Sequence, residues 1–173
     1  MIIEMRETTT VSADRLWEVF GAQYPDIQSW SRGVFASKHR AGIGPGGAAF
    51  QGRICDTSFG KLTETITAYD PTERKIAYLV KGEKMPGFVR RMENNWTFAA
   101  AANGQAEIKM RLTAELAFPF NILMGWMMKA QLRKDLRSNI EDLIHYAKTG
   151  TPHPRKVKVD ASAKAQKAKA AFV

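Results

Sequence analysis

Glu107-Ile-Lys-Met-Arg-Leu-Thr-Ala-Glu-Leu-Ala-Phe118 alternates apolar and polar residues as far as Leu116. Ile108, Met110, Leu112, Ala114 and Leu116 take one parity; Glu107, Lys109, Arg111, Thr113 and Glu115 take the other. Period two marks a strand with one buried and one wet face. Beyond Phe118-Pro119 the period changes. From about Asn121 to Lys148 there is no proline and a single glycine, and Leu132, Leu136, Ile140, Leu143 and Ala147 recur three or four residues apart. That spacing predicts a helix with one apolar face, about 40 Å long at about 1.5 Å per residue. A helix of that length needs a broad sheet to cover, and the gap between the two is the place to look for function.

The sequence upstream supplies the sheet. Ile2 to Thr10 reads as a strand, followed by a short helix from Ser12, with Ser12 as N-cap and Asp14 and Glu18 in its early turns. Tyr24-Pro25 to Trp30-Ser31 reads as a second short helix. Further strands are expected over 34–39, 48–56, 61–69, 76–81, 89–100 and 105–117, separated by turn sequences such as Asp70-Pro-Thr-Glu73 and Asn103-Gly104. One strand, two short helices, a run of strands and one long helix make an α+β fold with an antiparallel sheet. Gly42-Ile-Gly-Pro-Gly-Gly47 lacks the Gly-Lys-Ser/Thr close of a phosphate loop and precedes a strand, so it reads as a flexible hairpin connection.

A chain of 173 residues fits one domain with a real core. No apolar run approaches the ~20 residues of a membrane span, and the N-terminus lacks the parts of a secretory signal. The single cysteine, Cys55, excludes an internal disulfide and a cysteine metal cluster. A reducing, cytoplasmic setting is expected. His39, His145 and His153 fall at no metal-ligand spacing, no catalytic motif is present, and neither metal nor cofactor is expected. The net charge is +9, but Arg155 to the C-terminus holds six Lys/Arg against one Asp, leaving +4 for residues 1–154. The folded part is only mildly basic.

The order of elements resembles the START-like superfamily, the helix-grip fold of Bet v 1-type, START and polyketide cyclase/dehydrase-like (SRPBCC) proteins. Val11-Ser-Ala-Asp-Arg-Leu-Trp-Glu-Val-Phe20 is similar to the opening that follows the first strand in that family. Gly60-Lys-Leu-Thr-Glu-Thr-Ile-Thr-Ala-Tyr-Asp-Pro71 is similar to its G-x-x-x-E strand and Y-D-P turn, with Gly52-Arg53 resembling its Gly-to-Arg strand and Met85-Pro86 its pocket-mouth loop. The resemblance covers residues 1–149. It implies a curved sheet wrapped around the last helix and a cavity between them; it does not imply a chemistry.

Strand parity selects what would face that cavity. Leu62, Glu64, Ile66 and Ala68 form the more apolar face of their strand. A symmetric hairpin closure sets Arg53 opposite Glu64, Cys55 opposite Leu62 and Asp56 opposite Lys61, with Arg53 and Glu64 turned inward together. Two accounts of that pair compete: a structural ion pair, or an arginine fork held by Glu64 to orient a ligand oxyanion. Met92, Asn94, Trp96 and Phe98 share an inward face, as do Ile76, Tyr78 and Val80. Asn94 then needs a partner, from protein or ligand. Met110 lies on the apolar face of the last strand. At the helix start Phe120, Leu123, Met124, Trp126, Met127 and Met128 crowd together; core packing and a pocket mouth or membrane-touching patch both account for them. The ligand-binding candidates are Arg53, Glu64, Tyr78, Met92, Asn94, Trp96, Met110, Trp126 and Met127. The expected partner is a small hydrophobic or amphipathic molecule such as a lipid, polyketide-like or aromatic compound. A cyclase/dehydrase-like enzyme is the alternative, with Glu64 or Tyr78 as its acid or base.

The organisation expected is a helix-grip domain over 1–150 and a basic Lys/Ala-rich tail over 151–173. Thr151-Pro-His-Pro-Arg155 ends the long helix. The tail alone is expected to be disordered or weakly helical. It is either a solubilising segment or an electrostatic arm for nucleic acid or an anionic membrane.

Overall fold

A computed structural model describes residues 1–119 and 125–172. The expected helix start at Asn121, with Phe120, Leu123 and Met124, lies outside them. Strand β1 (Ile2–Thr9) leads into α1 (Ala13–Trp17), which continues as a π turn over Glu18–Ala22 and a 3-10 helix over Tyr24–Ser29. Ser12 caps α1 by accepting from the Arg15 amide at 3.2 Å. Strands β2 (Val34–Arg40), β3 (Gly52–Thr57), β4 (Gly60–Asp70), β5 (Lys75–Gly82), β6 (Val89–Ala100) and β7 (Ala106–Leu116) follow. Helix α2 is Gly125–Thr149. The seven strands form one antiparallel sheet in the order β1-β7-β6-β5-β4-β3-β2. This is the α+β order that the hydrophobic periods predict, in the helix-grip architecture that the family resemblance implies.

Strand β3 is shorter than expected. Residues 48–51 are an irregular bend instead, and the Phe50 ring stacks on Tyr24 at 5.8 Å. The glycine-rich connection is also packed and not free. A Cβ on Gly46 would sit 1.8 Å from the Tyr69 carbonyl, and Gly46 has φ +62°. A Cβ on Gly52 would meet the Glu64 carbonyl at 2.0 Å. Glycine there lets β3 approach β4 closely, one residue before Arg53.

Strands β1 and β2 are the sheet's edges. The Gln28 side chain accepts from the Ser37 amide, covering part of the β2 edge. Helix α2 is fastened by its C-terminal half. Arg32 gives three hydrogen bonds to the Asp142 carboxylate, from its amide at 2.9 Å, Nε at 2.8 Å and Nη2 at 2.6 Å. Ser31 Oγ lies 2.7 Å from Asn139 Oδ1, and Arg15 Nε donates to the Ala147 carbonyl at 3.2 Å.

The tail departs from expectation. It forms α3 (Pro154–Asp160) and α4 (Ala163–Ala171), which pack beside β2. His153 and Ser162 cap the two helices, and alanine is the best helix former where no core fixes the choice. Lys156 is fully buried, donating to the Val34 carbonyl and to Asp160, each at 2.7 Å. A disordered arm would leave that ammonium in water; tertiary packing overrides the propensity argument here.

Candidate functional site

The register stacks the inner-face side chains in rows across the sheet. One row runs through Ile66, Tyr78, Asn94, Leu112 and Ile3. The next, toward the C-terminal end of β7, holds Arg53, Glu64 and Val80, with Met92 opposite Ala114. A third pairs Cys55 with Leu62 and Leu62 with Gly82. In the opposite direction Ile76, Trp96, Met110 and Met5 form a wholly apolar row. The polar side chains therefore make a band two rows deep.

What lies on the two sides of the band differs. On the α1 side, Phe20 packs on Trp96, Phe98 and Trp30 at ring-centroid distances of 4.6, 5.4 and 5.9 Å. Those rings fill the interior. On the other side Leu62, Met85, Met92 and Leu116 from the sheet end, and Leu132 and Leu136 from α2, are only partly buried. They pack against the core as a partly open apolar fringe, the candidate for a mouth.

Within the band, Arg53 Nε donates to Glu64 Oε2 at 2.7 Å, and Nη1 to the Tyr24 carbonyl at 2.5 Å. The guanidinium lies 3.8 Å over the Tyr24 ring. The Tyr24 hydroxyl donates to the same Glu64 oxygen at 2.6 Å. Burial works to lower the Arg53 value, but the Glu64 carboxylate and its neighbours outweigh it, and the net direction is upward. Burial raises Tyr24 and Tyr78 well above the ordinary phenol range. It pushes the Cys55 thiol up to about 11, against the pull of Arg53. At neutral pH the band thus presents a fixed cation held by the Glu64 carboxylate and neutral hydroxyls, with a neutral thiol in the adjoining row. Among the described residues, the two side-chain hydrogen bonds to Glu64 use Oε2 and neither uses Oε1. The Asn94 carbonyl oxygen is buried with no hydrogen-bond partner among the described residues. A buried acceptor without a donor costs about 1–3 kcal/mol, so this is a place where a ligand hydroxyl or amide gains.

Arg53, Glu64, Tyr78 and Asn94 come together as the strand parity predicts, with the predicted Arg53–Glu64 register. Trp96 and Met110 are buried one row deeper, in the aromatic plug, and Met92 is half-buried at the mouth. Trp126 and Met127 differ from expectation: they are 72% and 50% exposed and line no interior. Apart from Gly125, the buried residues of α2 lie between Ile140 and Ala147, about 20 Å or more along the axis from Trp126. Tyr24 and Phe50 belong to the site and were not among the candidates. Tyr24 sits where a π turn gives way to a 3-10 helix, and neither has the period that exposes an apolar face in sequence. A surface recess of about 360 Å³ between α4 and β2, lined by Gln28, Phe35, Ser37, Lys169 and Phe172 among others, holds none of the band's polar groups. Among the described residues no cluster of three or more His, Cys, Asp and Glu could hold a metal. No helix among them is long and apolar enough to cross a membrane.

Solved structures share the fold at low identity. A START superfamily protein from Mycobacterium smegmatis aligns over 87% of this chain and 99% of its own, with TM-score 0.66 and 13% identity. Ara h 8.0201 aligns over 85% and 97%, with TM-score 0.64 and 13% identity. The di-domain ARO/CYC BexL from the BE-7585A biosynthetic pathway aligns over 84% of this chain and 45% of its own, with TM-score 0.66 and 14% identity. No curated protein matches the chain in sequence. The family model described as polyketide cyclase / dehydrase and lipid transport matches residues 2–148, from the first strand to the end of α2. With sheet, grip helix and that match in agreement, the chain belongs to the polyketide cyclase / dehydrase and lipid transport family.

Proposed function

We propose that the domain binds a small, largely apolar molecule carrying one hydrogen-bonding or anionic group. The molecule enters at the mouth formed by Leu62, Met85, Met92, Leu116, Leu132 and Leu136. Its polar end reaches the band of Arg53, Glu64, Tyr78 and Asn94. The observation that carries the reading is the unpartnered Asn94 oxygen, buried on the inner face directly opposite Tyr78. Apolar burial supplies the affinity, at ~25 cal/mol per Å², and the band supplies orientation.

Native mass spectrometry of the purified protein, followed by denaturing extraction, tests for a resident molecule. Titration with an alkyl carboxylate and an alkyl alcohol of equal chain length then tests the band. Asn94→Leu, which keeps volume, is expected to weaken the alcohol about tenfold, the loss of one buried hydrogen bond. Arg53→Met is expected to weaken the carboxylate more than the alcohol. Equal effects of each variant on both probes would remove the orienting role.

The uncommitted Glu64 Oε1 favours a second reading, an enzyme of the cyclase/dehydrase kind with Glu64 as base. Glu64→Gln separates the two: a carrier keeps binding and has no turnover to lose, whereas an enzyme keeps binding and loses turnover.

A further inference from the structure

The first half of α2 carries exposed apolar and cationic side chains together. Trp126 is 72% and Met127 50% exposed, and Phe118, in the segment leading from β7, is 78% exposed. The same half carries Lys129, Arg133, Lys134 and Arg137, all exposed. None of these four has an ion-pair partner among the described residues. Asp135 is the one acid between Gly125 and Ile140, and its two oxygens accept from Gln131 at 2.9 and 3.0 Å. Four cations against one acid leave a net charge of three. The tail, although richer in lysine, spends part of its charge internally: Lys156 is buried, Lys169 pairs with Asp160 at 3.2 Å, and Lys164 donates to the Ser58 carbonyl at 2.8 Å.

The spacing is directional. Trp126, Arg133 and Arg137 stand at i, i+7 and i+11, on one stripe of the helix. Arg133 and Arg137 therefore lie about 10 and about 16 Å along the axis from Trp126. An apolar tip backed by a cationic collar at that distance matches a bilayer, where apolar side chains sink about 5–10 Å into the headgroup boundary. Lys and Arg then meet the lipid phosphates while their stems cover apolar surface. Tryptophan is suited to that depth, with an apolar ring and a polar N–H. A nucleic-acid surface would place cations at the tip and gain nothing from Met127 and Phe118.

We infer that this end of the molecule docks on an anionic lipid bilayer, with Trp126, Met127 and Phe118 inserted and the basic stripe of α2 on the headgroups. The inference does not depend on what the interior binds.

Trp126 is the one exposed tryptophan of four; Trp17, Trp30 and Trp96 are buried. Its fluorescence therefore reports the contact directly. The full chain would be mixed at low salt with phosphatidylcholine vesicles, and with vesicles in which part of that lipid is phosphatidylglycerol. Co-sedimentation with the anionic vesicles only is expected, with a blue shift and quenching by brominated acyl chains. Raising salt from about 0.05 to about 0.5 M should release the protein. Arg133→Glu with Arg137→Glu should lower the partition coefficient at least tenfold, on the order of fivefold per cation lost. Trp126→Ser should lower it several-fold. All are exposed positions, and an unchanged melting curve shows that the fold is intact. No sedimentation with anionic vesicles overturns the inference. So does binding without a change at Trp126, or binding abolished by Lys158→Glu with Lys167→Glu and untouched by the α2 variants. Tighter binding to duplex DNA than to anionic vesicles, unaffected by Trp126→Ser, also overturns it, in favour of a nucleic-acid surface.

Discussion

The two halves of α2 share one apolar stripe and serve different ends. In the C-terminal half Ile140, Leu143 and Ala147 are buried, and Asp142, 0% exposed, holds Arg32 through three hydrogen bonds. In the N-terminal half Leu132 and Leu136 continue the stripe but stay partly open, and the four cations are unpaired among the described residues. An apolar stripe shows which side of a helix faces the sheet; it does not show how far the packed interior extends beneath it. Stability is concentrated in one half, and the open surface and the mouth of the candidate site in the other.

The largest effects test that division directly. Leu143→Ala should cost about 2–5 kcal/mol, the range for emptying a fully buried leucine site. Asp142→Ala should cost about 1–3 kcal/mol, because it removes three hydrogen bonds while Arg32 keeps Glu141 at 3.5 Å and the Ser138 carbonyl at 3.3 Å. Leu132→Ala should cost less than about 1 kcal/mol, since little burial is lost. Urea unfolding of the three variants provides the comparison. A Leu132→Ala loss as large as that of Leu143→Ala would mean that the two halves are packed alike, and the mouth would lose its basis.

The comparison also explains what could be read in advance. Period two and period 3.6 are consequences of backbone geometry, so β7, β6 and the body of α2 were legible, and with them the Arg53–Glu64 register. Parity placed Tyr78 and Asn94 because each strand has only two faces. Tyr24 escaped because the segment from Glu18 to Ser29 changes from π to 3-10 geometry within a dozen residues, and no single period survives. For Trp126 and Met127 the limit is of a different kind: residue type leaves core packing, a pocket mouth and a membrane-touching patch open. Large apolar residues are usually assigned to the interior, yet folded surfaces carry many of them. Lysine-rich composition likewise hid the docking of α3 and α4, in which the buried Lys156 ammonium, the small Ala165 and the Lys164 bond to the Ser58 carbonyl all meet the domain.

A smaller effect separates the buried band from the open mouth by pH. Burial raises the Cys55 thiol to about 11 from a reference of 9.0. In this range the unfolded chain holds fewer protons than the folded one. The thiol's contribution is thus full below pH 9 and lost as the pH rises through about 11. Its full size is about 2–3 kcal/mol, at about 1.4 kcal/mol per unit. Tyr24 and Tyr78 are raised as well and act in the same direction above pH 10. Between pH 9 and 10 the thiol should dominate, and Cys55→Ala should flatten the slope of unfolding free energy there. An unchanged slope would mean that water reaches Cys55, and that the mouth extends into the band.

The smallest expected effect concerns the tail, and it has the opposite sign. Burial lowers the Lys156 value, with Asp160 opposing the shift. An amine with a depressed value contributes stability above its ordinary 10.5, and that stability is lost as the pH falls through the folded value. At neutral pH its charge therefore carries a desolvation cost that Asp160 and the Val34 carbonyl only offset. Replacing a buried cation with an apolar side chain of similar length is often neutral, and Asp160 keeps Lys169 at 3.2 Å as a partner. Lys156→Met should accordingly change global stability by less than about 1 kcal/mol and leave the amides of α3 and α4 protected in hydrogen exchange. Lys156→Ala, which removes the stem as well as the charge, should release both helices. Loss of protection in Lys156→Met as well would make the ion pair the latch and not the packed stem. The tail would then be held to β2 by charge, weakly and with a strong dependence on salt, unlike the bidentate Arg32–Asp142 clamp that holds α2.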